Sequence, residues 1–178
     1  GRDPKVKAKN FKAYLGGIPE IPESLIAQDT ELPLLSLCDP RPGLLRACKL
    51  LGIQHGELGY GEDSAEEFDD RFLVPTAPFW FRHDDGRKNR NRRPNYCRDE
   101  LTGDIQAGTA LEGAFAYLHH PDLIVEDEHI IDLPGTVRRG RHVGCAYLEV
   151  CGGLGRLSLH GYSGVASPRC GTMRVRRK

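Results

Sequence analysis

The chain has 178 residues, 25 of them basic and 25 acidic, with 39% apolar and 28% charged content. That length suits one domain burying roughly 70% of the surface its unfolded chain exposes, with no need of disulfides or metals, and the composition is too apolar for disorder throughout. No apolar run approaches the roughly 20 residues of a membrane helix, and Gly1-Arg2-Asp3-Pro4-Lys5 lacks the basic-then-apolar order of a secretory signal, so a cytoplasmic protein without membrane association is expected.

In chain order, residues 4–15 place Val6, Phe11, Tyr14 and Leu15 on one helix face, and Gly16-Gly17 ends it. The prolines of Ile18-Pro19-Glu20-Ile21-Pro22 demand extended backbone. A short helix over residues 24–28 follows, and residues 32–37 read as a strand or a buried segment. Asp39 reads as an N-cap with Pro40 at the first helical position and Gly52 as the C-terminal glycine. Between them Leu44, Leu45, Cys48 and Leu51 recur at helical spacing, and Leu50 widens the stripe. Gly52, Gly56, Gly59 and Gly61 form a glycine-rich loop that matches neither the dinucleotide fingerprint nor the P-loop. Ser64-Ala65-Glu66-Glu67 is a capping box that opens a short acidic helix reaching about Arg71.

Pro75 and Pro78 hold the chain extended ahead of a buried strand at residues 79–82, and Asp84-Asp85-Gly86 marks a turn. Residues 82–98 read as a basic, turn-rich connection and 104–108 as polar linker. Thr109-Ala110-Leu111-Glu112 is a second capping box, whose helix carries Leu111, Ala114, Phe115 and Leu118 on one face and is closed by Pro121. Beyond it the period falls to 2. Residues 129–133 are strand-like and Pro134-Gly135 reads as a turn. Residues 144–151 and 155–162 are two strands joined at Gly152-Gly153, residues 161–171 a loop, and 172–177 a last strand with Met173 and Val175 inward. Helices first and strands late predict an α+β domain with a mostly antiparallel sheet, residues 1–30 being a helical extension and 31–178 the domain.

Charge is unevenly spread. Residues 57–70 carry Glu57, Glu62, Asp63, Glu66, Glu67, Asp69 and Asp70 with no basic residue, whereas 82–98 carry Arg82, Arg87, Lys88, Arg90, Arg92, Arg93 and Arg98, and the chain ends in Arg174, Arg176, Arg177 and Lys178. The blocks either face one another across the fold or leave a basic surface open. The six cysteines show no compact spacing, so free thiols are expected, with Cys38, Cys48, Cys145 and Cys151 in apolar surroundings.

Three segments in order, Gly86-Arg87-x-Asn89 with Pro94, Thr109-x-x-Glu112-Gly113 with His119-His120-Pro121, and Gly161-Tyr162-Ser163-Gly164-Val165-Ala166-Ser167, resemble an uncharacterised domain-of-unknown-function family found mainly in actinobacteria. The likeness spans about residues 77–168. It departs at residues 157–162, which hold no tryptophan where members have a tryptophan-rich run. The resemblance implies relatives and no mechanism.

For chemistry, tight ligand pairs such as Cys-x-x-Cys are missing, so no metal or cofactor is expected; His160 and Cys170 with Cys145 or Cys151 are the zinc alternative. His119-His120 reads as a helix end. Ser158, Ser163 or Ser167 with His160 and Asp132 are hydrolase ingredients without a nucleophile elbow, and Cys97 sits in a basic segment that would lower its pKa. The composition of Arg87, Asn89, Arg90, Arg92, Arg93, Tyr96 and Arg98 suits phosphates and stacked bases, and the basic C-terminal strand would extend that patch. A non-enzymatic protein-interaction or regulatory module with a protein partner is the leading expectation; nucleic-acid or anion binding through residues 82–98, and a small enzyme with a reactive Cys or Ser, are the alternatives.

Overall fold

The computed structural model describes residues 11–55, 68–138, 144–159 and 165–177. The elements run α1 (Phe11–Leu15), α2 (Glu23–Ile26), β1 (Leu34–Cys38), α3 (Leu44–Leu51), β2 (Gln54–His55), β3 (Phe68–Asp70), β4 (Phe79–His83), a 3₁₀ turn (Arg87–Asn89), α4 (Pro94–Glu100), β5 (Ile105–Ala107), α5 (Ala110–His119), a second 3₁₀ turn (Pro121–Leu123), β6 (Ile130–Arg138), β7 (Cys145–Cys151), β8 (Leu154–Leu159), β9 (Cys170–Thr172) and β10 (Arg174–Arg176). This is the expected α+β class. One sheet is ordered β1-β4-β10-β5; the other is β2-β8-β7-β6-β3, with β9 also on β6. Pairing is antiparallel apart from β2 with β8 and β6 with β9. No helix among the described residues is long and apolar enough to cross a membrane.

α5 organises both sheets. Its capping box forms as expected, Thr109 accepting from Glu112 N and Glu112 returning a carboxylate to Thr109 N. The helix packs on β1, α3 and the β6-β7-β8 face, and the core includes Ala110, Ala114, Ala116, Ile131, Leu133, Leu148, Leu157 and Met173. Small residues dominate its buried side because Leu133 and Tyr117 fill the space beside Gly113 and Gly155. Leu118, expected inward, is 51% exposed, and Tyr117 packs against the core instead.

Several local expectations are corrected by pairings distant in sequence. Asp39 does not cap α3: its carboxylate accepts from Tyr14 and Arg41, and the helix starts after Gly43. Gly52 ends it in the left-handed region as expected, but Leu45 and Leu50 are exposed while Ala47 and Cys48 face inward. The acidic helix expected to reach Arg71 gives way at residues 68–70 to β3, held by β6; its capping box at 64–67 lies outside the described residues, as does most of the glycine-rich loop. Residues 105–107 are not linker but β5, zipped onto β10. Pro134-Gly135 does not turn the chain. β6 runs through it with a register shift, because a proline without an N–H is tolerated where a bulge interrupts the ladder. The hairpin at Gly152-Gly153 forms, both residues at positive φ.

The basic connection at 82–98 is largely ordered structure. Arg82 is buried and donates to the carbonyls of Leu25, Ala27 and Pro33, closing the end of α2. Pro94 opens α4 from its first turn, with Cys97 on its buried side. At Gly86 (φ 76°) an added Cβ would lie 2.5 Å from the Gly171 carbonyl oxygen, and one at Gly171 would strike Gly86 in return.

Gly86→Ala is expected to cost about 2 kcal/mol or more by urea unfolding. Gly43→Ala, at φ 77° but with open space around it, should cost less; equal losses would show that backbone angle, not the Gly86–Gly171 contact, sets the penalty.

Candidate functional site

A cleft of about 510 Å³ lies at the start of α5, walled by Pro40, Leu44, Val74, Pro75 and Leu111, with Arg41, Asp70, Thr76 and Thr136 as its polar groups. Register builds it. Asp70 on β3 pairs with Thr136 on β6, so both side chains leave the sheet on one side, and Gly135 N–H, donated to Gly108 O at 3.0 Å, pulls β6 up to the helix. Ala110 N–H donates to Thr136 Oγ1 at 2.9 Å, and that hydroxyl donates to Asp70 Oδ1. Behind them Glu112, fully buried, accepts from Thr109 N–H (3.0 Å), Thr109 Oγ1 (2.8 Å), Arg177 Nε (2.5 Å) and Arg177 Nη2 (2.8 Å).

Asp70 keeps an exposed surface in the cleft, yet the surrounding protein pushes its carboxyl above the usual carboxylate range. Desolvation leads, Glu112 adds to it, and the Thr136 hydrogen bond and Arg177 oppose. Asp39 goes the other way: burial would raise it, but hydrogen bonds from Arg41 and Tyr14 hold it below the usual range. Arg41 is thereby committed, its guanidinium bonded twice to Asp39 and set over the Tyr14 ring at 5.0 Å.

The residues singled out from sequence gather elsewhere, around the first 3₁₀ turn and α4, and internal partners engage them. Arg87 pairs with Asp85 at 2.6 Å, Arg92 with Glu100, and Arg98 with Asp99 at 2.8 Å. Asn89 donates to Thr172 O. Arg90 donates to His129 Nδ1 (3.1 Å) and Glu128 O (3.2 Å), while His129 Nε2 donates to Asp85 O (2.6 Å), so this arginine fastens the turn to the residues that lead into β6. Arg93 stacks on the half-exposed Tyr96 at 5.4 Å. The C-terminal arginines do not extend a patch. Arg174 binds Asp84 and Glu31, Arg176 binds Asp29 and Asp104, and Arg177 binds Glu112.

Cys97 is buried and its thiol is pushed up by that burial, the reverse of the activation expected from its basic neighbours: the arginines point to solvent and to acids, while the sulfur faces the sheet. Cys38, Cys48, Cys145 and Cys170 are buried free thiols, but Cys151 is exposed, not in apolar surroundings as expected. No cluster of metal-ligating side chains occurs among the described residues, and His160 and Ser163 lie outside them. His120 Nε2 is hydrogen-bonded to Leu35 O, part of the fold. Sequence reasoning passed over Asp70, Thr136 and Arg41 as site residues. Only the Thr109–Glu112 capping box signalled that this helix end is special. No family model, curated protein or solved structure matches the chain.

Asp132 and Ser158, the two described hydrolase ingredients on strands, share one rung of the larger sheet, with Tyr147 between them and Thr172 on the far side. Both are buried on the face opposite α5, where α4 packs on β6 and β9, and Ser158 has no exposed surface. Desolvation raises the Asp132 carboxyl from 3.8 to about 7. The folded state then holds a proton that the unfolded chain releases above 3.8, so this group's stabilisation is present at low pH and lost as pH rises through about 7. Buried His83, lowered from 6.5 to about 4, acts oppositely and gains stability over its own interval.

Comparing Asp132→Asn with the parent cancels the His83 contribution. The variant's relative stability should climb between about pH 4 and pH 7 by a few kcal/mol, each tenfold change in proton affinity being worth roughly 1.4 kcal/mol, then level off. A difference independent of pH would mean Asp132 titrates like an exposed carboxyl.

Proposed function

We propose that the chain is a non-enzymatic binding module whose ligand occupies the cleft at the start of α5. One observation carries this reading: a cleft of about 510 Å³ lies within the range of ligand sites and has their composition, apolar walls with a few convergent polar groups. Leu44, Val74, Pro75 and Leu111 supply apolar contact, and Asp70, Thr76 and Thr136 supply orientation. Among the described residues no thiol, imidazole or serine hydroxyl lines it, which favours binding over nucleophilic chemistry. A small molecule or a projecting segment of a protein partner fits the space. The basic residues 87–98 are the weaker candidate, because arginines already paired with Asp85, Asp99 and Glu100 would have to give up those partners to meet phosphates.

Amide chemical-shift mapping with a set of small polar fragments is expected to perturb Leu44, Thr76, Leu111 and Thr136 together. Thr76→Trp, at an exposed position on the cleft wall, should abolish those shifts and leave the rest of the spectrum unchanged. Perturbations gathered instead on Arg87, Arg93 and Tyr96 would transfer the site to the basic segment.

A further inference from the structure

We infer that the cleft selects a cation: an ammonium or guanidinium group that ion-pairs with Asp70 while its carbon skeleton lies along Leu44, Val74 and Leu111. The inference rests on reading the cleft as the binding site and specifies the chemistry of its occupant.

The charges around the cleft leave Asp70 as the group to be satisfied. Among the described residues, the arginine that lines the cleft and the one that acts on Asp70 are both engaged: Arg41 is bonded twice to Asp39, and Arg177 twice to Glu112. A helix N-terminus ordinarily invites an anion, but two amides of this one are answered from within the protein. Ala110 N–H goes to Thr136, and Glu112 N–H goes to Thr109. Because the Thr136 oxygen takes the Ala110 proton donor, its own hydrogen is directed to Asp70 Oδ1. That fixes one carboxylate oxygen, while Oδ2 accepts no hydrogen bond from a described residue and Asp70 stays exposed on the cleft wall. A ligand anion would meet this carboxylate with both guanidiniums engaged. A cation would find a positioned acceptor.

The same acids act on a neighbouring buried group. The Cys38 thiol, at the end of β1, is pushed well up, first by burial and then by Glu112 and Asp39, with Asp70 adding and Arg177 opposing. At Cys38 the acids therefore outweigh Arg177. Desolvation and Glu112 likewise act against the Asp70 carboxylate, and the attraction of a bound cation offsets both.

The test uses three probes of one shape, benzylamine, benzyl alcohol and benzoate, titrated into the labelled protein at neutral pH, with acetyl-Gly-Lys-Gly-amide as a fourth. Benzylamine is expected to perturb the Thr76, Leu111 and Thr136 amides and to bind about tenfold or more tighter than benzyl alcohol, with no benzoate binding there. Asp70→Asn keeps an oxygen for Thr136 and should bring the amine down to the level of the alcohol. The same preference is readable without the variant: salt at about 0.5 M should weaken the amine and spare the alcohol. Tighter binding of the lysine peptide than of benzylamine would place the cation on a partner's side chain; the reverse order would place it on a small amine. Equal binding of amine and alcohol at the cleft, or preference for benzoate, overturns the inference and leaves the cleft as a site. If none of the probes perturbs the cleft amides, the cleft reading falls as well.

Discussion

A fully buried carboxylate, Glu112, sets the constraint on which the rest depends. Burying such a charge is costly unless every oxygen is met, and here two donors come from Thr109 and two from Arg177. The capping box alone would satisfy one side of the group. The C-terminal arginine satisfies the other, and in doing so ties the last residues of the chain to the start of α5. Arg174 and Arg176 act in the same way a few residues earlier, binding Asp84, Glu31, Asp29 and Asp104. The end of the chain is therefore a clamp across the smaller sheet, and its basic character belongs to the fold.

The cleft follows from that fixed helix end. Once α5 starts at Ala110, its first amide, which has no partner within the helix, must find an acceptor, and Thr136 on β6 supplies it. Thr136 in turn orients Asp70 on the neighbouring strand. A chain of hydrogen bonds thus runs from the helix backbone to a carboxylate on the cleft wall, and polar groups of the floor are held by structure that exists for other reasons. Such preorganisation lowers the cost of ordering a site when a ligand arrives.

Elements whose signals are local were legible in the sequence. The Thr109–Glu112 capping box, the Gly152-Gly153 hairpin and the Gly52 helix end formed as read, since each depends on residues within a turn; Met173 and Val175 are inward as expected, but the single strand expected over 172–177 divides into β9 and β10, which join different sheets. What failed depended on partners far along the chain. Asp39 caps well in isolation, but Tyr14, 25 residues away, takes its carboxylate. Residues 105–107 look like linker until β10 pairs with them, and Arg82 looks like a surface charge until the carbonyls of Leu25 and Ala27 surround it. The site was less legible than the fold for the same reason. A run of arginines is conspicuous as text, yet most find an acid or carbonyl nearby, whereas Asp70 becomes distinctive only through strand register with Thr136.

The most direct test follows the Asp70 side-chain carboxyl carbon by NMR through a pH titration, with and without benzylamine. On the proposed reading this carboxylate is partly desolvated, has no cationic hydrogen-bond partner among the described residues, and is open to one from the cleft. That reading requires a pKa above the usual carboxylate range in the protein alone and a clear downward shift when the amine is added. A midpoint in the ordinary range that the amine does not move would contradict it.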